Sequence, residues 1–126
     1  MKTLSTLRER AFSERVGTVC AAISEMVQHR MPLLSEADLS AVESRNDELI
    51  SGWLFVYRSY WSAPEERKAL ILSALVSSNP RIREQACDVI GDLKLTELAY
   101  ALQPLTTDPV PYVAEAARYN HAALAD

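Results

Sequence analysis

The chain has 126 residues, 48% of them apolar, and a formal net charge of −4. That is one domain's worth of sequence with enough apolar side chain to bury a core. Only three glycines and few consecutive β-branched residues argue against a sheet, so residues 1–126 are expected to form a single all-α domain. The longest apolar run, Trp53 to Tyr57, falls far short of the roughly 20 residues a bilayer crossing needs. Met1 to Arg10 is charged where a signal peptide would be apolar, which predicts a cytoplasmic protein without a membrane contact. Cys20 and Cys87 each sit among apolar helical positions and read as buried free thiols. His29 and His121 have no second His or Cys at ligand spacing, so no metal or other cofactor is expected.

About seven helices are predicted. Apolar residues from Leu4 through Leu7, Ala11, Val16, Val19, Ile23 and Val27 keep a 3.6-residue period, giving one long helix to about Arg30, with Gly17 as a possible bend and Met31-Pro32 as its stop. Ser35 followed by Glu36 and Asp38 marks the start of a short helix to Glu43. Asp47 to Tyr60 is apolar on nearly every side, as a helix buried on several faces should be. Ser62, Pro64 and Glu65 predict a serine cap with proline in the first turn, and a helix to about Ser77. After Asn79-Pro80, a helix from Arg81 to Asp92 buries Ile82, Ala86, Val89, Ile90 and Leu93. Thr96 is expected to cap a helix kinked or ended near Pro104, and the last helix runs from about Tyr112 to Ala125.

The C-terminal half contains an echo. At an offset of 31 residues Pro80 falls on Pro111, Ile82 on Val113, Glu84 on Glu115, Ala86 on Ala117, Ile90 on His121 and Leu93 on Leu124. A period of that size is the signature of stacked helical repeats. Residues 64–125 resemble the HEAT repeat family. Leu102-Gln103-Pro104-Leu105-Thr106-Thr107-Asp108-Pro109 is similar to the end of a first helix with its Asp-Pro turn. Ile82-Arg83 with Ala86 and Ile90-Gly91 is similar to a second helix. Ala114 and His121 depart from the family pattern, and residues 1–60 carry none of it. The resemblance implies a short right-handed α-solenoid of antiparallel helix pairs: two HEAT-like repeats over 64–125, with 1–60 supplying N-terminal helices and a capping helix. His121, opposite Ile90, is then a core or half-buried residue.

Such arrays present surfaces and carry little chemistry of their own, and no phosphate loop or nucleophile motif is present, so no enzyme is expected. In a HEAT-like array the second helices line the inner surface. Their outward positions are Glu84, Asp88 and Asp92 on one helix and Glu115 and Tyr119 on the next. Carboxylates four residues apart repel, and Asp92 also sits at the negative end of its helix. Tyr60 and Trp61, at the end of the aromatic helix, are further candidates for partner contact. A second acidic group, Glu36, Asp38, Glu43, Asp47 and Glu48, reads as ordinary helix-start acids.

Residues 1–30 hold five Lys or Arg against three acids, and residues 31–126 hold eight against fourteen. That balance disfavours nucleic acid and favours a basic protein partner. Three roles fit: an immunity- or antitoxin-type protein that blocks a basic toxin such as a nuclease, a scaffold or adaptor, and an auxiliary factor of a modifying enzyme.

Overall fold

Three helix starts are made by the residues immediately before them. The Ser35 hydroxyl accepts the Asp38 N–H at 3.1 Å while the Asp38 carboxylate accepts the Ser35 N–H at 2.9 Å, a reciprocal capping box. The Asp47 carboxylate accepts the N–H groups of Leu49 and Ile50 at 2.9 and 3.0 Å. Asn79 accepts the Arg81 N–H at 2.9 Å, with Pro80 in the first turn where its missing N–H costs nothing. The computed structural model describes residues 4–125, with side chains from Thr6 onward; Met1 to Thr3, part of the charged N-terminal stretch, lie outside the described residues, as does the side chain of Leu4.

The elements are α1 (Leu4–Arg10), α2 (Val16–Gln28), α3 (Glu36–Glu43), α4 (Glu48–Tyr60), α5 (Pro64–Ala74), α6 (Pro80–Asp92), a 3₁₀ helix (Thr96–Thr107) and α7 (Pro111–Ala125). There is no strand among the described residues.

The single long N-terminal helix expected from the periodicity is two helices. The N–H groups of Ala11, Phe12 and Ser13 close short turns onto the carbonyls of Arg8, Glu9 and Arg10. The Ser13 hydroxyl then accepts the Arg15 N–H at 3.1 Å. Arg45, from the turn after α3, donates to the Ser13 carbonyl and, at 2.8 Å, to that of Glu14. Orphaned carbonyls at the elbow are thereby satisfied by a distant side chain. Gly17 is not the bend; it lies inside α2 with open space around it.

Two expected caps also fail. Ser62 donates its hydroxyl back to the Arg58 carbonyl, and α5 starts from Ala63 with no side-chain cap. The segment after Thr96 is a 3₁₀ helix without a side-chain cap, and it contains Pro104. The proline ring clashes with the carbonyl four residues back in an α-helix, which opposes a regular α-helical turn ending at Pro104.

Packing follows a simple order. Helix α2 lies against α4, α4 against α6 and α6 against α7, forming a row; α1 joins the row at α2, α3 at α4, α5 at α4 and α6, and the 3₁₀ helix at α7 and α6. Ile23, Ile50, Leu54, Ala86, Ile90, Val113 and Ala117 are fully buried along it. Two glycines permit its close approaches. A Cβ at Gly52 would lie 3.3 Å from the Arg81 carbonyl, and one at Gly91 would lie 1.9 Å from Oδ1 of Asn120. Burying one such aliphatic side chain contributes on the order of 1.5–3 kcal/mol.

Some positions 31 residues apart have like surroundings. Ala86 and Ala117 are both fully buried. The Ser77 hydroxyl accepts the Asn79 N–H at 3.1 Å, and its counterpart Asp108 accepts the Val110 N–H at 2.9 Å. Arg83 ties the turn before α6 to the turn before α7: it makes bonds of 2.9 and 3.1 Å to the Asp108 carboxylate and one of 2.9 Å to the Ser77 carbonyl. This fork-to-fork pair is nearly out of solvent and holds the Asp108 carboxyl below the usual carboxylate range. His121 is half-buried, and Asn120 beside it is the buried polar residue of α7.

Candidate functional site

The outward residues expected on α6 and α7 do not form one ladder. Glu84 is half-buried and pairs with Arg81 at 3.1 Å, while the Arg81 guanidinium lies over the Tyr112 ring with 4.0 Å to the centroid. Asp88 turns partly toward α7, where its Oδ1 accepts a hydrogen bond of 2.9 Å from the buried Asn120 amide. Glu115 and Tyr119 are exposed on α7. Crowding at α7 explains the division: with no side chain at Gly91, Asn120 reaches into α6 and captures Asp88.

Asp88 and Asp92 do come together with Tyr60. They line a recess of about 480 Å³ in the α2–α4–α6 row, with Trp53, Gln85 and Arg30 among its other walls. The aromatic floor comes from α4, where Trp53 and Tyr60 are seven residues apart and share a face. Arg30 stacks its guanidinium over the Tyr60 ring at 4.8 Å and donates to the Val27 carbonyl at the end of α2. It can do so because Arg30 takes a left-handed conformation, φ 56°, closing α2 with a Met31 N–H bond of 2.8 Å to the Met26 carbonyl.

Electrostatics in the recess are uneven. Burial pushes the Asp88 carboxyl up, against the opposing bond from Asn120, and the charges of Glu84 and Asp92 push it further. Desolvation also raises Asp92. Burial raises the Tyr60 phenol, helped by the charge of Asp92. Neither aspartate has an ion-pair partner within 4.0 Å among the described residues.

Trp61 belongs to a different place. Its ring lies 4.5 Å from that of the buried Tyr57 and lines a groove between α3 and α5, floored by α4, together with Leu34, Leu39 and Leu70. That groove continues past Arg58 toward Val76, which is 81% exposed. Three of the second acidic group serve local structure: Asp38 caps α3 and pairs with Arg8 at 2.7 Å, Glu36 pairs with Arg58 at 2.7 Å, and Asp47 caps α4.

The thiols are inert as placed. Burial pushes Cys20 up to about 11 and Cys87 up to about 12, so neither is a thiolate near neutral pH. Among the described residues no group of three His, Cys, Asp or Glu side chains could hold a metal ion, and no helix is long and apolar enough to cross a membrane. Arg30 and Asn120 were not marked by the sequence as parts of a site; Gln85 falls on the outward face of its helix and Trp53 on the aromatic helix, but neither was named as a site residue. Comparison with family models, curated proteins and solved structures finds no match to this chain.

Proposed function

We propose that the chain is a non-catalytic protein-interaction module, a short right-handed α-solenoid of HEAT-like helix pairs capped by α1, whose acidic side receives a basic protein. Its most concrete form is an immunity- or antitoxin-type protein that covers the basic surface of a toxin. The observation that carries this reading is the recess: the half-buried Asp88 and the exposed Asp92 beside two half-buried aromatic rings, neither aspartate having an ion-pair partner within 4.0 Å among the described residues. Opposite potentials steer encounter, and aromatic residues anchor interfaces. The side-by-side row α2–α4–α6–α7 and the 31-residue correspondence joined by Arg83 and Asp108 support the repeat architecture. One feature favours a scaffold as the second reading: the groove between α3 and α5 offers a separate surface for a second partner.

The test is binding to the products of adjacent reading frames, measured with the unaltered chain and with Glu84→Lys, Asp88→Lys and Glu115→Lys combined. Affinity for a basic product should fall at least about tenfold, roughly the worth of one charge-assisted contact, and its salt dependence should flatten, with helical circular dichroism retained. Unchanged affinity and salt dependence would remove the acidic side from the interface.

A further inference from the structure

We infer that the recess between α2, α4 and α6 is a subsite for one arginine side chain of the protein partner, its guanidinium stacked on Trp53 and bridging Asp88 and Asp92. The inference rests on the acidic-side reading above and specifies its chemistry.

Three features of the molecule converge on this point. Asp88 and Asp92 are four residues apart on α6, a spacing at which like charges repel. Asp92 is the last residue of α6, where the helix dipole disfavours a negative charge. Asp88 is half-buried in the recess wall, while Asp92 is exposed at its rim. A single cation placed between them relieves these costs at once. Asn120 binds only Oδ1 of Asp88, which leaves Oδ2 and both oxygens of Asp92 as acceptors. That set matches a planar donor fork better than a point charge.

The aromatic floor selects further. Trp53 is half-buried and lines the recess without a stacked cation of its own, whereas the neighbouring Tyr60 is already occupied by Arg30. Arg30 on Tyr60 and Arg81 on Tyr112 show that guanidinium stacking is the local way of using aromatic faces in this chain. Arg30 also limits the site. It closes the α2 side of the recess with positive charge, so a second cation is directed to the α6 side where the aspartates lie.

The probe is the blocked tripeptide acetyl-Gly-Arg-Gly-amide, with acetyl-Gly-Lys-Gly-amide as its counterpart, titrated into the full chain carrying Trp61→Phe. Trp53 is then the only indole, and its N–H resonance reports the recess. The arginine peptide should shift that resonance saturably in the millimolar range expected for one side chain, and the lysine peptide should bind severalfold more weakly. Asp92→Asn should weaken the arginine peptide by about tenfold, the equivalent of one charge-assisted hydrogen bond, without lowering the melting temperature. No saturable shift, equal response to lysine, or an Asp92→Asn variant that binds as before overturns the subsite. If the peptide fails while the triple lysine variant still weakens binding to a neighbouring product, the acidic-side reading stands and only the arginine subsite falls. If the peptide binds but the triple variant changes nothing, the recess is an arginine site unconnected with that surface.

Discussion

The two halves of the chain are held together by different means. Before Tyr60 the ties are single, long-range and unlike one another. The Tyr57 hydroxyl accepts the Leu34 N–H at 3.0 Å and donates to the Leu34 carbonyl at 3.1 Å, Arg45 holds the α1–α2 elbow, and Arg58 gathers Glu36 and Glu43. After Pro64 some ties recur at the 31-residue offset: Ser77 and Asp108 each accept an N–H two residues ahead and Ala86 and Ala117 are both fully buried, with the single Arg83–Asp108 pair tying the two segments together. A repeated tie leaves a period in the sequence, whereas a one-off tie between residues 20 or more positions apart leaves none.

The largest expected effect tests the register of the repeating half. Ile90 is fully buried in α6, so Ile90→Asp places an unpaired charge in the core and should cost about 4 kcal/mol or more, enough to lose the cooperative melt followed by circular dichroism. Val76→Asp, at an exposed position, should melt like the unaltered chain. Equal melts for the two variants would mean that α6 buries a different face.

A middle-sized effect compares the ties directly. Tyr57→Phe strips the Leu34 backbone of its partner, and Arg83→Met leaves Asp108 without its guanidinium; each should cost about 1–3 kcal/mol in urea unfolding. Their pH behaviour should differ. Because Asp108 is held below its ordinary value in the folded chain, its contribution is present above the unfolded carboxylate range and is lost as pH falls through the lowered folded value. Arg83→Met should reduce that acid-side slope, the Val110 N–H bond to Asp108 preserving part of it, while Tyr57→Phe should keep it. An unchanged slope in Arg83→Met would assign the acid sensitivity to another carboxylate.

The smallest effect has the opposite sign. Asp92 is raised by desolvation, so the stability linked to its proton is present below the unfolded carboxylate range and is lost as pH rises through the raised folded value. Removing the charge with Asp92→Asn should therefore stabilise the chain at neutral pH by about 0.3–1 kcal/mol, the usual size of a dipole or like-charge contact on a helix. A loss of stability instead would show that Asp92 is compensated in the folded chain.

Much of the helical layout is legible in the residues alone. Ser35, Asp47 and Asn79 act on N–H groups two or three residues ahead, so their caps need nothing from the rest of the molecule. The buried stripe of α6 follows from its spacing, with Ala86, Val89 and Ile90 fully buried and Ile82 and Leu93 at its margins. The elbow at residues 11–15 was hidden because Leu7, Ala11 and Val19 face the same core on either side of it and preserve the apolar rhythm. Ser62 misled because a serine hydroxyl can bond backward to the preceding helix as readily as forward.

The candidate site was legible only as types of residue. Asp88, Asp92 and Tyr60 could be named from charge and spacing, yet Trp61 lies on another face and Glu84, Glu115 and Tyr119 lie outside the recess. The sequence by itself determined an all-helical chain, most of its helix boundaries and the 31-residue correspondence, because caps and apolar periods act within a turn or two of backbone. Only the tertiary structure decided which carboxylates share a surface. That choice depends on Gly91 letting Asn120 reach Asp88 and on Arg30 folding back over Tyr60, contacts between residues about 30 positions apart.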